Sequence, residues 1–194
     1  MKNSTKKEAL LKLKIECSKC EKCPLAKLGR IKPVSGEGNI DTKIMFIGEA
    51  PGKNEDLLEH VFIGRSGNLL TKILEEAGIK REDIYISNVV KCRPPENRTP
   101  NLDEIETCKE NFLLKEISII NPTIICTLGS SSTKALLGNK ISITEARGKI
   151  HSYNNHLVIP TYHPAYLLRN QSKKIIVLED ILKILKTLSP KSPY

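Results

Sequence analysis

The chain has 194 residues, with 31 Lys and Arg against 22 Asp and Glu, a net charge of +9 and a pI near 9.2. That length suits one domain, residues 1–194, with a real hydrophobic core. No apolar run reaches the length of a membrane span, and no apolar segment follows the polar start Met1 to Glu8. A secretory signal and a membrane anchor are therefore not expected, and a cytoplasmic setting is.

The basic surplus points to a polyanionic partner, nucleic acid first, with simple solubility as the plain alternative. The ion-rich composition without Trp is of the kind found in thermophile proteins. In an intracellular chain the six cysteines are expected to be metal ligands or buried thiols rather than disulfides.

In chain order, a helix is expected over about Lys6 to Glu16. A cysteine cluster follows, Cys17, Cys20 and Cys23, then a basic, turn-rich segment to Gly38. Together these form an N-terminal cysteine-bearing segment of about residues 1–40. The first strand is read at Lys43 to Ile47. It runs into Gly48-Glu49-Ala50-Pro51-Gly52, the turn around which the rest is organised. Pro51 fixes its own φ and Gly52 frees the backbone, so the turn can hold a rigid shape at a strand end. The stretch Gly48 to Lys53 is one residue short of a phosphate-binding loop and is followed by Asn54, where that loop needs Ser or Thr.

Ser66 is read as the N-cap of a helix whose apolar face is Leu69, Leu70, Ile73, Leu74 and Ala77, ended by Gly78. Ile84 to Val90 is a second strand, running into the basic loop Lys91-Cys92-Arg93-Pro94-Pro95-Glu96-Asn97-Arg98. Thr99-Pro100 is read as the start of a long helix that Asn121-Pro122 breaks. Thr123 to Leu128 is a third strand, ending at Gly129-Ser130, with a short helix to Leu137. Residues 139–155 are irregular or β. Leu157 to Tyr162 is a fourth strand, ending at His163-Pro164. Leu178, Ile181, Leu182, Leu185 and Leu188 mark a final helix, and residues 189–194 form a frayed tail. Strands alternating with helices imply a parallel α/β sheet covered on both faces, whose strand ends converge on one edge.

The cysteine spacing is Cys20-x2-Cys23 and Cys92-x15-Cys108, with Cys17 as a spare and Cys126 a buried residue inside a strand. Two thiolate pairs suit a [4Fe–4S] cluster or a tetrahedral zinc. The loose second pair favours iron–sulfur, and the Cys23-Pro24 dipeptide favours Cys20 and Cys23 as the N-terminal ligands, with the choice of two among Cys17, Cys20 and Cys23 left open. On the functional edge, His163 is a candidate catalyst and Asn88 a candidate reader of a base edge. Phe62 is a candidate stacking platform, and Tyr166 beside Arg169 suits insertion into a DNA stack. The plain alternatives are structural: a satisfied histidine, a turn-capping amide, a core ring and a first helical turn.

Together these motifs resemble the family 4 uracil-DNA glycosylases, the iron–sulfur type of thermophilic bacteria and archaea. The marks are Cys20-x2-Cys23-x-Leu25, Gly36-Glu37-Gly38-Asn39, Gly48 to Gly52, Phe62-x-Gly64, Tyr85-x-x-Asn88-x-x-Lys91-Cys92-Arg93-Pro94-Pro95, Asn97-Arg98, Cys108, Arg147-Gly148-Lys149 and His163-Pro-Ala-Tyr-Leu-Leu-Arg169. The resemblance covers about Cys20 to Asn170. It implies a three-layer α/β/α sandwich with a central four-stranded parallel sheet, and a structural [4Fe–4S] cluster on Cys20, Cys23, Cys92 and Cys108. It implies removal of uracil from single- or double-stranded DNA by a monofunctional enzyme, leaving an abasic site for base excision repair.

The resemblance also distributes roles. Ala50 would offer a backbone amide to uracil, Glu55 would crowd C5 against thymine, Phe62 would stack, Asn88 would read the base edge, and His163 would donate to O2. Glu49 is the carboxylate nearest the place where better-known relatives carry a water-orienting Asp. Ser130, Arg169, Lys91 and Arg93 would hold the DNA backbone, and Tyr166 would fill the gap left by the flipped base. A monomer is expected. Lys183, Lys186 and Lys191 are read as a solvated face, with docking of a partner such as a sliding clamp as the alternative. Competing readings keep the fold and change the base to hypoxanthine, or make the chain a non-enzymatic iron–sulfur or zinc DNA-binding protein.

Overall fold

A computed structural model describes residues 3–189; Lys191 and the expected tail from Pro190 to Tyr194 lie outside them. The chain opens with α1 (Asn3–Ser18), a 3-10 turn (Pro24–Lys27) and a short strand β1 (Glu37–Gly38). Then come β2 (Ile44–Gly48), α2 (Lys53–Leu58), α3 (Arg65–Glu76) and β3 (Tyr85–Asn88). Next are α4 (Leu102–Cys108), a π-helical turn (Lys109–Leu113), α5 (Leu114–Ile120) and β4 (Ile124–Leu128). The chain closes with α6 (Ser130–Leu137), α7 (Ile143–Ala146), β5 (His151–Tyr153), β6 (His156–Thr161), α8 (Pro164–Leu167) and α9 (Lys174–Leu188). Among the described residues no helix is long and apolar enough to cross a membrane.

The sheet has six strands in the order β1-β3-β2-β4-β6-β5. It is mixed, so the expectation of a four-stranded parallel sheet holds only in part. β3, β2, β4 and β6 pair parallel, while β1 and β5 add antiparallel edges. Both edge strands are too short to carry a readable hydrophobic period; β1 is two residues, one of them Gly38. The edges cap rows of backbone groups that would otherwise stay unpaired.

The central strands are buried almost throughout because both their faces are covered. Ile44, Phe46, Ile86, Ile124, Cys126, Leu128 and Ile159 point to one side, where α3 contributes Leu70, Ile73 and Leu74 and α9 contributes Val177, Ile181 and Ile184. Met45, Ile47, Tyr85, Ile125 and Val158 point to the other, against Leu13 and Cys17 of α1 and Ile105, Phe112, Leu113, Ile117 and Ile120 of the α4–α5 region. This alternation is the period of two expected of strands.

Two helix starts differ from expectation. α3 is capped by Gly64 rather than Ser66. α4 is capped by Asn101 rather than Thr99, because Asn101 and Glu104 form a reciprocal capping box. On α9 the buried face includes Asp180 and leaves Leu182 exposed. The carboxylate of Asp180 is buried because it accepts from Thr161 Oγ1 at 2.7 Å and from Arg147 Nε at 3.0 Å.

In sequence the parallel strands run β2, β3, β4, β6, but β3 and β4 lie on opposite sides of β2. The order therefore switches direction at β2, and the crevice beyond its carboxyl end is where an open α/β sheet binds ligands.

Candidate active site

A cavity of about 450 Å³ opens there, within the range that holds a small molecule. Its walls come from the turn after β2 (Glu49, Ala50, Pro51, Gly52), from Glu55 of α2, from Phe62 and Ser66, and from Asn88 at the end of β3. Leu128, Gly129 and Ser130 contribute from the end of β4, and His163, Ala165 and Tyr166 from the segment after β6. Four strand ends thus meet in one place.

Phe62 and Asn88 meet over Gly48. A Cβ on Gly48 would lie 2.5 Å from Phe62 Cζ and overlap Asn88 Oδ1. Phe62 adopts φ +51°, a left-handed conformation costly for an aromatic residue, and its ring is 6 % exposed. Glu55 holds it there. Glu55 Oε1 accepts from Ile63 N at 3.0 Å and Gly64 N at 2.7 Å, fastening the two peptides that follow the ring. Asn88 is buried, and its Oδ1 has no hydrogen-bond partner among the described residues. A buried acceptor without a partner is costly, so it marks a site that waits for a donor.

His163 lies 5.8 Å, centroid to centroid, from the Phe62 ring. It caps α8, its Nδ1 accepting from Ala165 N at 3.1 Å. That acceptance places the proton of the neutral ring on Nε2. Burial lowers the pKa of His163 to about 4, so the ring is neutral at pH 7. The result is a neutral N–H donor whose orientation is fixed by its own backbone.

Glu49 follows the strand directly. One of its carboxylate oxygens accepts from Ser131 Oγ, in the first turn of α6. The sequence singles out Ser130, at the strand end, among three consecutive serines and gives no signal for Ser131. The turn itself is pinned to the next strand end, as Val89 N donates to Gly48 O and Val90 N to Glu49 O, both at 3.0 Å.

The loop after β3 supplies a further wall: Pro94, Asn97 and Arg98 line the cavity. Glu96 and Asn97 both take left-handed φ, +52° and +57°. The loop is held by Arg98, whose Nη1 and Nη2 form a double hydrogen bond to Glu104 at 2.8 and 2.7 Å. Those bonds keep the Glu104 carboxyl below its usual range. The sequence offered Asn97-Arg98 only as a motif, with no role attached.

The residues expected on DNA divide into three groups. Ser130 and Tyr166 line the pocket mouth; Tyr166 is 42 % exposed and its ring lies 5.1 Å from that of Tyr162. Arg169 is exposed beyond the pocket, and Arg93 is half-buried with Nε on Asn97 Oδ1 at 2.8 Å. Lys91 corrects the expectation. It is 1 % exposed, in a buried ion pair with Glu116 at 2.6 Å, and does not face a phosphate backbone.

Five cysteines gather on the α1 side of the sheet. Cys17, Cys92 and Cys108 are buried, and Cys20 and Cys23 pack half-buried against them. Cys126 lies on the opposite face. Among the described residues no three potential ligands are drawn close enough to hold an ion as they stand. The donor set is nonetheless suited to a metal: soft thiols in an apolar wall with a guanidinium and a backbone amide at hand as hydrogen-bond donors. Arg30 Nη1 donates to Cys92 Sγ at 2.9 Å, and Lys91 N to Cys108 Sγ at 3.2 Å. Burial raises the Cys92 thiol to about 12 and Cys17 to about 11, and Cys108 higher still, so without a positive centre these thiols stay protonated.

Residues 35–188 match the family model of the uracil DNA glycosylase superfamily. The chain is 50 % identical over 183 residues to the type-4 uracil-DNA glycosylase of Thermotoga maritima, covering 92 % of this chain and 94 % of that protein. It is 46 % identical over 185 residues to the type-4 uracil-DNA glycosylase of Saccharolobus solfataricus, 91 % of this chain and 85 % of that protein. It is 36 % identical over 186 residues to the type-4 uracil-DNA glycosylase of Archaeoglobus fulgidus, 92 % of each.

Proposed function

The chain belongs to the uracil-DNA glycosylase superfamily and sides with its type-4 members, and from that membership we propose that it removes uracil from DNA as a monofunctional glycosylase. The observation that carries the reading is the pairing, in one cavity, of an unpartnered buried Asn88 Oδ1 with a neutral His163 donor.

Uracil carries a donor at N3 and acceptors at O2 and O4. Asn88 Oδ1 would accept from N3–H, and its amide would donate to O4. Cytosine presents an acceptor at N3 and would leave Oδ1 unpaired, which a buried site penalises strongly. Phe62 would stack on the base, and Glu55 beside it would crowd a thymine methyl. Such a base is reached only by leaving the DNA stack, and Tyr166 at the pocket mouth would fill the gap.

Chemistry would proceed by departure of the base. The C1′–N1 bond breaks and its electron pair leaves with uracil, whose charge gathers on O2. His163 Nε2–H would donate to that oxygen, and the Ala50 amide would support the base. Preorganised donors of this kind act where charge develops. The sugar left behind is oxocarbenium-like. Glu49, held by Ser131, would stabilise it and orient the water that attacks C1′; the water's second proton passes to solvent or to the departing base. Ser130, Arg93 and Arg169 would hold the backbone.

Cys20, Cys23, Cys92 and Cys108 would hold a [4Fe–4S] cluster, with Cys17 as a buried thiol behind it. The cluster would supply structure rather than redox chemistry, tying the N-terminal segment to the start of the loop that walls the pocket and to the end of α4, the helix that follows that loop.

The test is incubation with a uracil-containing oligonucleotide beside thymine, cytosine and hypoxanthine controls. Free uracil, with strands that break only after alkali, is expected. Immediate strand breaks, equal release of hypoxanthine, or tight binding with no release would each contradict the reading.

A further inference from the structure

Lys91 lies outside the pocket, yet its ammonium is wholly committed. Nζ donates to Ser87 Oγ at 2.6 Å, to the Asn88 carbonyl at 2.9 Å and to Glu116 Oε2 at 2.6 Å. Ser87 Oγ donates to the same Glu116 oxygen at 2.6 Å, and Glu116 Oε1 accepts from Gly36 N at 3.0 Å. The Lys91 main chain is equally fixed: its N–H rests on Cys108 Sγ, and its carbonyl accepts from Val34 N at 2.7 Å.

A methionine would fill nearly the same volume without a charge, and a buried ion pair is weak support for stability. What the ammonium adds is a donor to the carbonyl of Asn88, the residue whose side chain enters the pocket. At that carbonyl β3 has ended and the chain turns toward the β2 turn through Val89 and Val90.

We propose that Lys91, held by Glu116, is a positioning residue: it fixes the Asn88 peptide and so aims Asn88 Oδ1 at the base, without touching DNA. The proposal rests on the reading of Asn88 as the uracil reader. A positioning role through Asn88 predicts that the two residues are not independent, whereas a merely structural role predicts that they are.

The experiment is a double-mutant cycle on the full chain carrying its iron–sulfur centre. Single-turnover uracil release is measured for the unaltered chain, Lys91→Met, Asn88→Ala and the double variant, with saturating duplex. Thermal midpoint and the visible absorbance of the centre report fold separately. Coupling between residues that act as a unit is commonly a factor of about 2–150. Accordingly, Lys91→Met is expected to slow release by about 10–100-fold alone and by less than about threefold when Asn88 is already alanine.

Equal losses in both backgrounds, or no loss in Lys91→Met, would overturn the proposal. Should Lys91→Met fail to fold, Lys91→Met with Glu116→Gln leaves no unpaired buried charge and carries the same cycle. Failure of both to fold would make Lys91 a folding residue and overturn its positioning role. Absence of uracil release by the unaltered chain would overturn the functional reading itself and this role with it.

Discussion

On the α3–α9 side of the sheet, a continuous apolar layer of Ile, Leu, Val and Phe residues closes the core, and the one buried carboxylate named there, Asp180, has two local donors. On the α1–α5 side the layer holds five cysteines and the Lys91–Glu116 pair. The first side is held mainly by apolar burial. The second contains a buried ammonium facing a buried carboxylate, each tolerable only through the other, beside cysteines whose chemistry suits a metal. The difference shows where this protein gives up simple packing, and it does so beneath the strand end that carries Asn88. The Asn88 side chain alternates onto the Phe62 face, so the α1–α5 side reaches the pocket through the Asn88 backbone, which Lys91 holds.

Removing the proposed cluster should separate the two sides most. Cys108→Ser, or chelation of the iron, is expected to cost more than about 4 kcal/mol, the range of losses that follow removal of a structural metal. Thermal unfolding should show it, with hydrogen exchange rising first in the residues 91–108 region. An unchanged midpoint would mean that the cysteine side is self-sufficient after all.

Gly48→Ala tests the place where Phe62 and Asn88 meet. Its methyl would displace Phe62 or Asn88, and overpacking of this kind costs about 1–3 kcal/mol. Uracil release should fall by roughly tenfold or more, while the midpoint drops modestly. Retained activity would show that Phe62 and Asn88 need not meet over bare backbone.

The pH dependence follows from His163. Its folded pKa is about 4, against about 6.5 for a free histidine. Between those values the unfolded chain binds a proton that the folded chain does not, so stability falls as pH drops from about 6.5 to about 4 and is level in His163's contribution outside that window. Uracil release should lose its acid limb only near pH 4. A limb centred near 6.5 would mean that His163 is solvated in solution. Both effects should vanish in His163→Gln.

The smallest effects belong to the rim. Arg169→Ala is expected to weaken DNA binding uniformly across sequences and to reduce the salt slope by about 1. Tyr166→Ala should cost about 1–3 kcal/mol in binding, with little change in the chemical step. A large loss of rate in either variant would move the catalytic machinery outward.

Much of this was legible in the residues. Each parallel strand was a continuous apolar run, and each ended at a turn residue, so Glu49, Asn88, Ser130 and His163 could be assigned to one edge. The edge strands could not be read, since two or three half-exposed residues carry no period. The capping signal Asn101-x-x-Glu104 was present but was passed over in favour of Thr99-Pro100. Lys91 was misread because its neighbours Cys92 and Arg93 suggested a basic surface loop. Its burial depends on Glu116, 25 positions away on another element, and no local pattern announces that pairing.

The most direct test of the central claim, that chemistry occurs at the strand-end pocket, is the single-turnover rate of uracil release by His163→Ala at saturating DNA. Loss of one preorganised donor predicts a fall of about 10²–10³ with binding and thermal midpoint nearly unchanged. A rate equal to that of the unaltered chain would place the reaction elsewhere.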